Sequence, residues 1–251
     1  MKFRYFSGTV LAAALATGPA FADHHGKSKS YDYGDRGPEV WGQLHGDYAL
    51  CEKGDMQSPI DLANANAKGA IQLDVDYQPG GIEVLNKGLT IQANFPKGSS
   101  MTSGGMKFNL IQIHFHTPSE HAISGKRFPL TGHFVHATDD GKLGVLGVMF
   151  EEGAANKALD QILDVAPGQK SDQPMTQAEV VDPTDMLPAD RSVYRYMGSL
   201  TTPPCSEGVN WHVLSKPITA SKMQIAKFAA LMGDSARPVR AVNNRLVVAP
   251  E

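Results

Sequence analysis

Apolar residues recur at alternate positions, or in β-branched runs, over residues 71–77, 82–85, 89–94, 107–116, 131–138 and 143–150, the period of strands whose successive side chains face opposite ways. From Tyr31 onward glycine, proline and asparagine interrupt the chain every few residues, as expected where many short strands are joined by turns. Helical spacing stands out twice, over 157–163 and, after a start signal at Thr219 and Ser221, over Lys222–Met232, where Gly233 supplies the stop. The pattern predicts a mainly β (α+β) chain with a sheet for its core and short peripheral helices. No linker-like stretch and no internal repeat follows Tyr31, so residues 31–251 read as one domain.

The N-terminus departs from this pattern. Lys2 and Arg4 precede an apolar stretch over 10–16 and a small-x-small motif, Ala20-Phe21-Ala22, which together read as a signal peptide over residues 1–22. The polar residues 23–30, with His24 and His25, read as a disordered leader. Such a signal places the mature chain in the periplasm or outside the cell, where Cys51 and Cys205 can pair and persist, two free thiols being the alternative. The 251 residues carry a net charge of −3 with 41% hydrophobic and 20% charged positions, a soluble globular balance that gives no reason to expect nucleic acid. No segment after the signal is apolar for the roughly 20 residues that a membrane span needs.

Chemistry concentrates in Ile111-Gln112-Ile113-His114-Phe115-His116. In a strand His114 and His116 project from one face while Ile111, Ile113 and Phe115 point the other way into apolar packing. His133 and His136 in the next strand candidate fall on opposite faces, and His133 is taken as the third ligand. Three imidazoles leave the fourth tetrahedral position of a zinc ion open, which distinguishes a catalytic site from a closed, cysteine-rich structural one. The spacing from His114 and His116 to Glu120 is also that of a cupin, but Arg127 stands where a cupin would place glycine and no second cupin motif follows.

The matching pieces around these histidines are Gly37-Pro38-Glu39 with Trp41, Gln57-Ser58-Pro59-Ile60-Asp61, residues 112–116, Pro118-Ser119-Glu120-His121, His133-Phe134-Val135-His136 and residues 198–205. In these the chain resembles the alpha-class carbonic anhydrases of bacterial periplasmic or secreted type, across nearly the whole mature sequence. The resemblance implies a single domain on a large, mostly antiparallel twisted central sheet, a disulfide between Cys51 and Cys205, and zinc-dependent reversible hydration of carbon dioxide to bicarbonate and a proton by zinc-bound hydroxide. It implies His114, His116 and His133 as ligands, with Thr201 and Glu120 as the catalytic pair that aims the hydroxide. Thr202 would contact bicarbonate, Val135, Val145, Leu200, Val209 and Trp211 would form the apolar wall for carbon dioxide, Tyr33 would hold ordered water, and Gln112 would orient His114. His121, His136 and His212 are assigned hydrogen-bonded structural roles.

Two positions depart from the family pattern. Thr131 stands where a glutamate usually accepts from the third ligand, so a weaker grip on zinc is expected. Leu89 stands where fast members carry a proton-shuttling histidine, so proton release is expected to be impaired. Partners beyond carbon dioxide and bicarbonate are not implied, apart from a second copy in a homodimer. The competing reading is a catalytically weak or metal-poor carbonic-anhydrase-like binding protein.

Overall fold

The computed structural model describes residues 29–251. Among them thirteen strands form one sheet: β1 (Ala67–Lys68), β2 (Leu73–Asp76), β3 (Gly80–Asn86), β4 (Ile91–Asn94), β5 (Ser100–Ser103), β6 (Met106–His116), β7 (Leu130–Ala137), β8 (Leu143–Glu152), β9 (Met175–Val181), β10 (Val193–Ser199), β11 (Glu207–Leu214), β12 (Ile218–Ala220) and β13 (Val247–Ala249). The path runs β1-β13-β10-β11-β8-β7-β6-β4-β3-β9, with β12 on β8 and with β5 between β2 and β6. Most pairings are antiparallel, but β8 pairs in parallel with β11 and β12, and β1 with β13. Four α-helices, α1 (Trp41–Leu44), α2 (Leu50–Lys53), α3 (Lys157–Val165) and α4 (Lys222–Met232), are short and peripheral.

Apolar side chains cover both faces of the central strands, which is why β8 reads as a nearly unbroken apolar run. Leu146, Val148 and Phe150 join a cluster with Ile113, Phe115 and Phe134, while Val145 and Met149 join a second cluster with Val209, Trp211 and Tyr196. Helix α4 closes the first. Its capping box, Ser221 with Gln224, satisfies orphan amides at its start, and Gly233 at φ 68° ends it. Phe228 from this helix meets Phe115 at 4.7 Å between ring centroids, so α4 backs the strand that carries His114 and His116.

The structure corrects the expected alternation in three places. Ile111 is 51% exposed instead of packed inside, because a bulge between Leu110 and Gln112 makes it an extra residue facing no partner on β7. The strand expected over 89–94 begins at Ile91. Leu89 lies in the preceding turn, where Gly88 at φ 85° donates its N–H to Asn86 Oδ1. Strands β9 to β13 have no counterpart in the pattern, since β9 is exposed along most of its length and β11 is buried on both faces. The expected signal lies outside the described residues. Of the expected leader, Lys29 and Ser30 are described, and their carbonyls accept from Tyr48 and Arg36.

Candidate metal centre

Strand register brings the three histidines together. His114 on β6 is the direct partner of His133 on β7, and His116 follows two residues along the same face. Their ligand atoms all lie within 4.8 Å of one another. Each ring is held by a different device. His116 Nδ1 is 2.7 Å from the Ser235 carbonyl, which can only accept, so Nδ1 carries the proton and Nε2 the lone pair. His114 Nδ1 is 3.0 Å from Gln112 Oε1, the orienting contact expected of Gln112. Glu120 Oε2 lies 3.6 Å from His116 Nε2 and 3.7 Å from His133 Nδ1, so these two nitrogens face a common point.

Burial holds the His114 and His133 pKa values well below the ordinary imidazole range, with the neighbouring imidazoles adding to the effect. Neutral rings offer lone pairs. His116 Nε2 is buried with no hydrogen-bond partner among the described residues, an arrangement that costs about 1–3 kcal/mol for a neutral group unless something satisfies it. A three-imidazole set with converging lone pairs is a good donor set for a divalent metal. His133 differs from its companions: its Nε2 is also buried without a partner, and the Thr131 hydroxyl donates to the Val148 carbonyl at 2.9 Å instead of supporting the ring.

The surroundings divide by chemistry. Gln92 pairs directly with His114 across β4 and β6, and with Asn94, whose Oδ1 accepts from it at 2.8 Å, it extends a polar strip beside Gln112 that the pattern of the sequence did not single out. On the other side Val135, Val145 and Trp211 stand in one row across β7, β8 and β11. Leu200 and Val209 complete the same apolar cluster, so the five expected wall residues do gather. The Trp211 ring packs 5.0 Å from His133 and its Nε1 donates to the Ser199 carbonyl. Gly198 permits this closeness, because a Cβ there would come within 2.9 Å of Trp211 Cδ1.

Glu120 is fully buried, and its Oε1 accepts from the backbone N–H of Arg237 at 3.0 Å. Its Oε2 has no hydrogen-bond partner among the described residues. Thr201 is buried, and burial raises the pKa of the Tyr31 phenol, against which Thr202 acts in the lowering direction. The Tyr33 hydroxyl is buried without a partner, and burial followed by the Glu120 charge raises its pKa well above the usual phenol value. No local pattern singles out Arg237, which reads as an ordinary loop residue before Pro238. Its guanidinium is fully buried, donates to Gln57, Ser58 and Cys51, and has its pKa lowered to about 10 by desolvation. Cys51 and Cys205 are bonded, closing the disulfide beside this group. His121, His136 and His212 bond Tyr196, Tyr77 and Ser103 respectively.

Comparison with known proteins agrees with this geometry. The family model for eukaryotic-type carbonic anhydrase matches residues 36–250. A carbonic anhydrase of a Nostoc species is 40% identical over 242 residues, covering 94% of this chain and 90% of its own. The solved alpha-carbonic anhydrase of Photobacterium profundum is 44% identical with a TM-score of 0.82, covering 87% of this chain and all of its own. A hyperthermostable carbonic anhydrase from a hydrothermal vent chimney is 41% identical with a TM-score of 0.84, covering 88% of this chain and all of its own. With its family model spanning nearly every described residue and its relatives aligned over most of their length, the chain belongs to the eukaryotic-type, or alpha, carbonic anhydrase family.

Proposed function

We propose that this carbonic anhydrase hydrates carbon dioxide at a zinc ion held by His114, His116 and His133, in the periplasm or outside the cell. The observation that carries the reading is the convergence of three imidazoles beside an apolar wall. A bound zinc supplies a coordinated water of strongly lowered pKa, the chemistry that the carbonic anhydrases themselves exemplify. The chain's own residues do the rest. Ser235 and Gln112 fix the tautomers of His116 and His114. Val135, Val145, Leu200, Val209 and Trp211 offer an apolar surface to carbon dioxide and exclude competing water. Glu120, anchored through Oε1, keeps Oε2 available to accept from the Thr201 hydroxyl, whose oxygen then accepts from the attacking group. Thr202 contacts bicarbonate, and Tyr33 holds water at the polar side.

Two features tune this activity downward. The missing carboxylate at Thr131 leaves His133 Nε2 unsupported, which favours weaker retention of the metal. Leu89 cannot carry a proton, so regeneration of the reactive state depends on solvent or buffer. The disulfide and the absence of a membrane-crossing helix among the described residues are consistent with an exported chain. The test is zinc content of protein purified without added metal, with stopped-flow hydration of carbon dioxide on the same sample. One zinc per chain with activity supports the enzyme. Metal-poor, inactive protein that gains nothing from added zinc would establish the binding-protein reading instead.

A further inference from the structure

A cavity of about 450 Å³ opens between the β2–β5 ladder and β10, and none of the three histidines lines it. Arg195 and His212, direct partners on β10 and β11, alternate with Tyr196 and Trp211, so they face away from the apolar wall of the metal centre. The cavity walls carry two opposite charges that do not close on each other. The Arg195 guanidinium makes no hydrogen bond or ion pair among the described residues. The Asp74 carboxylate accepts from Gln72 Nε2 at 2.9 Å through Oδ2 alone.

A guanidinium and a carboxylate in one small space ordinarily pair, because the fork geometry gives two charge-assisted hydrogen bonds. No such pair is present here: Arg195 stands on β10 opposite Val248 and His212, and Asp74 on β2 opposite Thr102, across the cavity from each other. The floor is fixed too, since Ser103 Oγ is 2.9 Å from Nε2 of the buried His212. The rim is open, as the β5–β6 hairpin turns through Gly104 and Gly105, where a Cβ would meet nothing within 4 Å. Ile71 and Met106 add apolar surface.

We infer that this cavity binds a small zwitterion of the amino-acid class, with its carboxylate on Arg195, its ammonium on Asp74 and an apolar side chain against Ile71 and Met106. A ligand carrying one charge would engage one wall only and forgo the second charge-assisted contact, because the exposed Asp74 carboxylate and the half-buried Arg195 stand on different strands. Recognition therefore requires both charges.

Leucine is the probe, titrated into zinc-loaded, ¹⁵N-labelled full chain while the Arg195 Nε–H and Thr102 amide resonances are followed. Two analogues accompany it: 4-methylpentanoate, which lacks the ammonium, and 3-methylbutylamine, which lacks the carboxylate. A saturable shift with a dissociation constant of about 1 mM is expected for leucine, with at least roughly tenfold weaker binding of either analogue. Arg195→Gln and Asp74→Asn should each weaken leucine by a similar factor while leaving carbon dioxide hydration unchanged, which reports that the variants are folded. No saturable shift at Arg195, an analogue that binds as well as leucine, or full leucine binding in Asp74→Asn would each overturn the inference. Hydration is measured separately, so failure here leaves the reading of the metal centre intact.

Discussion

In the proposed function Leu89 and Thr131 are the two single positions that lower the activity, Leu89 because its side chain carries no titratable proton and Thr131 because its hydroxyl is turned to the Val148 carbonyl. Without a shuttle, release of a proton from a group of pKa about 7 to water is limited by its diffusional return to roughly 10³ s⁻¹. Leu89→His should therefore raise turnover in dilute buffer, and imidazole-type buffers should raise the natural protein's turnover in the same way; dilute-buffer turnover well above that limit would show another route. Thr131→Glu should tighten zinc by about 10 to 100-fold, read by chelator competition, because a carboxylate would reach His133 Nε2. Equal affinity would mean that another group already supports the ring. Both expectations come from the sequence, because neighbouring motifs fix where the two positions fall. Ser235 and Arg237 were not legible there, since each acts through a contact spanning more than a hundred residues, for which local spacing carries no signal.

At the scale of elements, β6 shows how a strand can follow its pattern and still depart from it. Phe108 and Leu110 lie out of phase with Ile113 and Phe115, and the bulge at Ile111 absorbs the difference, so both pairs turn toward one cluster while His114 and His116 keep the opposite face. Sequence alternation alone placed Ile111 inside because a bulge is a property of the β6–β7 pairing. Ile111→Ser should change stability by no more than about 0.5 kcal/mol, whereas Ile113→Ala should cost about 2–5 kcal/mol, compared by urea unfolding. Similar costs at the two sites would place Ile111 in the core after all. Helices α3 and α4 were legible from their helical spacing, and α4 also from its start signal at Ser221 and its stop at Gly233. Exposed β9 had no apolar face to betray it.

For the whole molecule, the buried histidines outside the metal centre couple folding to pH. Burial lowers His121 and His136 to about 3 and His212 to about 4, each from an ordinary 6.5. Each is neutral in the fold and takes a proton on unfolding, so its contribution is complete above pH 6.5 and disappears as the pH falls through that value toward the folded pKa. Over that window each histidine should remove about 1.4 kcal/mol of stability per pH unit. A urea midpoint that falls steeply between pH 6.5 and 4 is the expected outcome, and His212→Gln should make the fall shallower. The disulfide, closing a span of 154 residues, should contribute about 5 kcal/mol in the chain-entropy account, lost on reduction.

The contacts of Ser235 and Arg237 bear on when the protein can first become active. All three histidines of the candidate metal centre lie within residues 114–133, yet His116 takes its tautomer from a carbonyl at 235, and Glu120 is anchored by an amide at 237. A chain still being synthesised carries every ligand long before it carries the groups that aim them. Metal met at that stage would find an unoriented cluster, so competence for the reaction waits for residues 235–237, about a hundred residues after the last of the three histidines has been made.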